Sequence, residues 1–324
     1  MRNTIQRIRG RLANKSTAGD RILMGLALAA AALTIIVLVA VTYKIVTGSK
    51  LSFDTFGLGF ITDSTWDPTT GNGGKGTYGA WVMIYGTLVS SFFALAVALP
   101  VGVAIGLFLA DLAPAGVAKV VGPLVEMLAA IPSVIVGFWG VIVFAPVIAQ
   151  HIEPFLHDHF GFIPLFGEPQ ASGISLFTAC LILSIMILPI IASISRDLFL
   201  TVPREMKDGA EALGATNWEV VRGVSLPATA AGTASAALLA LGRALGEAIA
   251  VAQVVGGASV VHSSLFLPGD TLASRIASQF PSAQSNLQLS SLYYLGAILL
   301  VIGVASNLAA AWIANRFDYE KRAA

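Results

Sequence analysis

Between Gly76 and Ala110 the chain reads GTYGAWVMIYGTLVSSFFALAVALPVGVAIGLFLA, a run without a single formal charge. A bilayer core about 30 Å thick takes about 20 apolar residues of helix, so this run alone is long enough to cross one. Similar runs recur on either side. Ile22 to Tyr43, Ala171 to Ser195 and Leu289 to Asn315 are uncharged. Val120 to Gln150 carries only Glu126, and inside Pro227 to His262 only Arg243 and Glu247 are ionised. The runs are continuously apolar and lack the period-2 alternation of a membrane barrel. The expected fold class is therefore an all-α integral membrane protein with six transmembrane helices, at about 22–46, 79–110, 120–150, 171–195, 227–260 and 289–315.

Composition agrees with that class. The 324 residues are 56% hydrophobic and 11% charged, with a mean hydropathy of +0.81. A soluble domain carries roughly 25% charged residues, so the polar coat of a globule is missing. Thirty-two glycines suit helices packed closely in lipid. A net charge of +1 gives no basic field to draw nucleic acid. The single cysteine, Cys180, and four scattered histidines give a metal centre little to build on, and no cofactor is expected on this chain.

Basic residues set the direction of the helices. Arg2, Arg7, Arg9, Arg11, Lys15 and Arg21 precede the first span; Lys119, Arg196, Arg204, Lys207 and Arg222 lie in alternate connections; Arg316, Lys321 and Arg322 follow the last span. Both termini are thus expected in the cytoplasm, with 1–20 a basic N-terminal segment, 21–318 one permeation domain and 319–324 a tail. The first apolar run exceeds the 7–15 residues of a secretory signal and no small-residue cleavage site follows it, so it reads as a retained helix. Among the outer connections, 47–75 reads as turns. His151, His157 and His159 beside Glu153, Asp158 and Glu168 read as a solvated loop over 151–170, with a zinc or pH-sensing site as the sharper alternative. No Gly-x-x-x-x-Gly-Lys-Ser/Thr is present, so any nucleotide energy comes from another chain.

The longest cytoplasmic connection runs from Val202 through Glu219 into Val224-Ser225-Leu226-Pro227. Pro203 followed by Glu205 suits a helix start and Gly214 a stop. Asp208-Gly209-Ala210, then Gly214, then Val224-Ser225-Leu226-Pro227 resembles the cytoplasmic loop of importer permeases of the ATP-binding cassette class. The pattern there is Glu-Ala-Ala, three residues, Gly, nine residues, Ile-x-Leu-Pro. Every spacing is met; Asp, Gly and Val replace Glu, Ala and Ile, and Gly209 weakens the short helix by up to about 1 kcal/mol relative to Ala. Further stretches narrow the resemblance to C-type permease subunits of bacterial phosphate importers: Leu241-Gly242-Arg243-Ala244-Leu245-Gly246-Glu247, Ile131-Pro132-Ser133-Val134 with Gly137 and Trp139-Gly140, and Leu267-Pro268-Gly269-Asp270.

That resemblance implies a six-helix permease of the type I importer kind with a short cytoplasmic coupling helix, set in a bacterial inner membrane. Asp208, Gly209, Ala210, Gly214, Leu226 and Pro227 would engage an ATPase dimer that uses ATP and Mg. A second permease subunit and an extracytoplasmic phosphate-binding protein would complete the assembly. For the path of inorganic phosphate the residues favour Arg243, Glu247, Glu126 and Ser133. Charge within a span is costly and should face a partner or a water-filled path. Arg243 and Glu247 at i, i+4 share a helix face and can pair directly, and a guanidinium fork matches an oxyanion. A structural ion pair remains the alternative to an anion path. Sulfate or molybdate is the alternative cargo, an ion-coupled secondary transporter the alternative class. An intramembrane enzyme would lack a nucleophile–base pair.

Overall fold

In a computed structural model of the protein, residues 18–69 and 76–317 are described. The basic segment expected over 1–20 lies outside them as far as residue 17, as does the tail over 319–324. Two units separate at residue 48. The first contributes α1 (Ala18–Gly48), apolar on every face, as a membrane helix is.

The second unit begins with α2 (Lys50–Phe56), α3 (Gly59–Thr62) and a two-stranded antiparallel hairpin, β1 (Trp66–Asp67) and β2 (Thr77–Tyr78), with Trp66 opposite Tyr78. This corrects the reading of 47–75 as turns. Phe53, Phe56 and Phe60 recur at helical spacing, and Phe60 stacks on Tyr294 with centroids 4.4 Å apart. The hairpin packs by its aromatic pair, Trp66 edge-on to Tyr78 at 5.0 Å. Phe56, Phe60, Trp66, Tyr78 and Tyr294 gather with Leu292, Leu295 and Ile298 in an apolar cluster.

The longer helices follow: α4 (Trp81–Leu107), α5 (Ala115–Leu128), α6 (Ser133–Trp139), α7 (Ala145–Val147), α8 (Glu153–Phe160) and α9 (Leu176–Thr201). After them come α10 (Arg204–Ala212), α11 (Asn217–Val220), α12 (Leu226–Gly246), α13 (Ile249–Val254), α14 (Leu272–Gln279) and α15 (Asn286–Phe317). Six helical stretches among the described residues are long and apolar enough to span a bilayer: 19–56, 81–112, 133–160, 176–201, 217–246 and 286–309. Two of these differ most in outline from the sequence expectation. The third begins at Ser133, because Pro132 cannot continue α5 and starts a fresh helix. It also runs on to Phe160 through residues read as loop. The fifth begins at Asn217 and stops at Gly246 rather than near residue 260.

α9 is the hub. Its most extensive partner is α4, followed by α12. α4 carries buried small residues four apart, Gly86, Ser90, Ala94, Ala98, Gly102 and Gly106; Gly86 faces the Asp270 backbone, while Gly102 and Gly106 face α9. Backbones approach closely there, and a Cβ on Gly106 would stand 2.8 Å from the Arg196 amide nitrogen. Around α9 the larger cluster gathers Ile182, Leu183, Ile187, Ile191, Val251, Val254 and Phe266.

Among the described residues, four π-helical turns interrupt the rods, at Phe108–Leu112, Gly140–Phe144, Ile148–Ile152 and Val221–Ser225. A proline follows each by two residues: Pro114, Pro146, Pro154 and Pro227. Proline has no N–H for the carbonyl four residues back, and its ring crowds that carbonyl. In each case the residue just before the proline donates instead to the fifth carbonyl back, as Ala113 does to Phe108 at 2.7 Å. The widened turn gives the ring room.

Candidate functional site

Two regions bring together the residues singled out from the sequence. The first lies where two helices break. α5 ends at Leu128, and Ala129 to Pro132 lead into α6; α12 ends at Gly246, and Glu247 and Ala248 lead into α13. The half-helices beyond the breaks pack together, since a Cβ on Gly137 of α6 would meet the Ala250 Cα of α13 at 2.7 Å. A glycine at 137 is what this approach requires.

Arg243 stands in the last turn of α12, exposed, beside a small cavity of about 60 Å³. The walls are Leu128, Ala129, Ile131, Val136, Ile185 and Met186, so the guanidinium has apolar neighbours. No acceptor pairs with it among the described residues. The expected direct pairing with Glu247 is not formed, and the break explains it. Glu247 has an extended backbone (φ −72°, ψ 118°), which carries it off the helical face that i, i+4 spacing presumes. Its Oε1 accepts the Ala250 N–H at 3.3 Å instead.

Glu126 also departs from expectation. It lies on α5, ahead of the third span rather than within it, and it is 53% exposed. Its Oε1 accepts from Arg196 Nη1 at 3.0 Å, joining α5 to α9. Gly122, one turn back, leaves room for that guanidinium. Ser133 is the first residue of α6, half-buried, one residue past Pro132. The hydroxyls of Ser90 in α4 and Ser184 in α9 turn back to the Thr87 and Cys180 carbonyls, and both residues are buried.

The second region is the 203–227 connection. α10 starts behind Pro203 and has no buried residue. Asp208 and Gly209 are exposed on it and Ala210 is half-buried. The helix ends as Gly214 takes φ +89°, with its N–H on the Glu211 carbonyl at 2.9 Å and the Ala215 N–H on the Ala210 carbonyl at 3.2 Å. These two bonds make a complete Schellman cap, which needs a left-handed residue at 214. Thr216 then opens α11 with a capping box, receiving the Glu219 N–H while the Glu219 carboxylate takes the Thr216 N–H at 2.8 Å. Leu226 and Pro227 begin α12 behind the fourth π-helical turn.

Other charged contacts gave no clear signal in the sequence. Asp270 and Arg275 are 2% and 5% exposed and form an ion pair, Nε to Oδ2, at 2.5 Å. Arg275 Nη2 also donates to the Ala258 carbonyl at 3.0 Å, and its guanidinium lies over the Trp66 ring. Burial raises the Asp270 carboxyl above the usual range, with the Arg275 charge opposing. Glu153, read as solvated loop, is fully buried and receives Ser175 Oγ at 3.2 Å and the Gln170 N–H at 3.3 Å. Each histidine of that stretch faces a backbone carbonyl through Nδ1, and no metal-binding group of residues forms among the described residues.

Known proteins align with this arrangement. The family described as binding-protein-dependent transport system inner membrane component matches residues 102–319. The phosphate transport system permease protein PstC of Pasteurella multocida is 46% identical over 272 residues, 82% of each chain. Its counterpart in Mesorhizobium japonicum is 41% identical over 294 residues, 90% of this chain and 88% of that one. Among solved structures, a bacterial alginate ABC transporter in complex with an alginate pentasaccharide-bound periplasmic protein superposes with a TM-score of 0.61. It is 17% identical and covers 92% of this chain and 96% of that one, which is a likeness of fold alone.

Proposed function

The chain belongs to the family of inner membrane components of binding-protein-dependent transport systems, and we propose that it is the membrane-spanning permease subunit of an ATP-driven phosphate importer. Kinship with the phosphate permeases carries the cargo. The geometry supplies the means. Arg243, exposed and without a partner among the described residues, stands beside an apolar cavity where two helices break and offers an anion a fork-shaped donor. Glu247 stands four residues on with its carboxylate held by a backbone N–H, so it tempers the local potential without capturing the guanidinium. A transport site must release what it binds, and a single tempered cation suits that.

ATP and Mg act on a separate ATPase dimer, into which α10 docks with Asp208, Gly209 and Ala210. The cap at Gly214 and the start of α12 at Leu226 and Pro227 hold α10 to the fifth span. A second permease subunit completes the path, and an extracytoplasmic phosphate-binding protein delivers to it. Both termini and the 196–226 connection face the cytoplasm. Ser133 and Glu126 flank the break at 129–132, Ser133 within reach of the path and Glu126 holding α5 to α9.

The test is phosphate uptake by the complex reconstituted in proteoliposomes with its ATPase and binding protein. ATP-dependent uptake that excess sulfate or molybdate leaves unchanged is the expected result. Uptake inhibited by sulfate or molybdate would transfer the cargo to those anions; uptake without ATP would make the protein an ion-coupled carrier.

A further inference from the structure

α10 has few ways of acting on the spans. It buries no side chain, and its helix contacts are with α11 and the π-helical turn at 221–225. Covalently it continues α9 on one side and leads to α12 on the other. Nothing in the sequence order connects it to α4, yet α4 makes the largest interface with the central α9. Between α10 and the end of α4 lies a cavity of about 310 Å³, lined by Ala110, Asp111, Arg204, Lys207, Asp208 and Asn217. This cavity, whose walls also include Leu112, Val220 and Val221, leaves a gap that something must bridge if the two elements are to move together.

One polar contact does. Lys207 Nζ approaches Asp111 Oδ1 at 2.6 Å and also donates to the Phe199 carbonyl at 3.3 Å. The Lys207 side chain is 14% exposed and that of Asp111 20%, although Asp111 as a residue lies at the surface, so the pair is partly screened from water rather than buried. Asp111 sits in the π-helical turn that ends α4, a place where the backbone already departs from regular geometry. Lys207 projects from the middle of α10, ahead of Asp208.

We propose that the Lys207–Asp111 ion pair is the tie through which displacement of α10 reaches α4. The two are positioning residues that link ATP hydrolysis on a partner chain to movement in the membrane. This rests on the permease reading above, in which α10 docks into an ATPase. Hydrolysis that moves α10 pulls α9 and α12 through the chain itself, and pulls α4 through this pair. Without it, α4 follows only through its face against α9.

The experiment uses the complete complex in proteoliposomes, with phosphate uptake and ATP hydrolysis measured in the same vesicles. Asp111→Asn and Lys207→Met should each copurify with the ATPase in normal yield and hydrolyse ATP, while phosphate taken up per ATP falls roughly tenfold. The swapped pair, Asp111→Lys with Lys207→Asp, should recover most of the lost ratio, and Lys207→Arg should keep it. A wild-type ratio in both single variants overturns the proposal, as does a swapped pair that recovers nothing. Loss of the ATPase from the single variants would make the pair a docking contact and overturns it too. Failure of the permease reading itself appears earlier, as wild-type complex that shows no ATP-dependent uptake.

Discussion

Arg243 and Glu247 lie four residues apart and do not meet. Their separation by the break at Glu247 gives the anion-path reading a sharp consequence. Arg243→Gln should leave a complex that assembles normally and abolish phosphate uptake, because a neutral amide does not offset the desolvation of an anion. Glu247→Gln should lower uptake only in part, by removing a local charge and weakening the bond to Ala250. The double variant should behave like Arg243→Gln. Two charges clamping helices would recover when both are neutralised, since no unpaired charge remains; recovery of uptake would sink the path. Gly214 is the other residue whose conformation decides something. At φ +89° a side chain costs about 1–2 kcal/mol, although no atom stands within 4 Å of a Cβ there. Gly214→Val should therefore weaken retention of the ATPase on copurification while leaving the protein in the membrane, and unchanged retention and transport would refute the role of the cap. Residue spacing made Gly214 legible in the sequence, because a Schellman cap depends only on neighbours along the chain. The Arg243–Glu247 geometry was not legible, because i, i+4 spacing presumes an unbroken helix. The partner of Glu126 lies seventy residues away at Arg196, and no local pattern carries that.

At the level of the elements, apolar runs gave six spans, but their ends followed backbone chemistry that hydropathy does not register. Pro132 starts a helix inside one apolar run, and that same span, with Glu153 buried in it, continues through residues that look like loop. The small-residue stripe on α4 is the strongest packing feature of the molecule. Gly102 would place a Cβ 2.9 Å from the Ile191 side chain, and Gly106 has backbone on two sides. A leucine at either position has nowhere to go without parting α4 from α9, and overpacking of this kind typically costs about 1–3 kcal/mol or more. Gly106→Leu should thus reduce the folded yield in mild detergent far more than Gly116→Leu, where nothing lies within 4 Å. Equal yields would mean that the two helices do not pack as described. The widened turns ahead of Pro114, Pro146, Pro154 and Pro227 have no counterpart in hydropathy; they follow from the backbone room that each ring needs.

For the whole molecule, direction in the membrane is the property on which the other assignments hang. With Cys180 replaced by Ala, a cysteine at 158 should react with an impermeant thiol reagent added outside intact cells, and one at 207 only after the membrane is opened. The reverse pattern would place α10 on the wrong side for any ATPase. The third span has a further bearing on the surrounding lipid. From Ser133 to Phe160 it runs 28 residues, two π-helical turns included, or about 42 Å at roughly 1.5 Å per residue, against a hydrocarbon core of about 30 Å. The surplus ends in exposed His151, Asp158 and His159, which favour water. A thicker bilayer would draw these groups toward hydrocarbon or force the rod upright, and a thinner one would let it lean. Since α6, at the other end of the same rod, packs against α13 beside Arg243, the proposed path should respond to acyl-chain length in the host membrane.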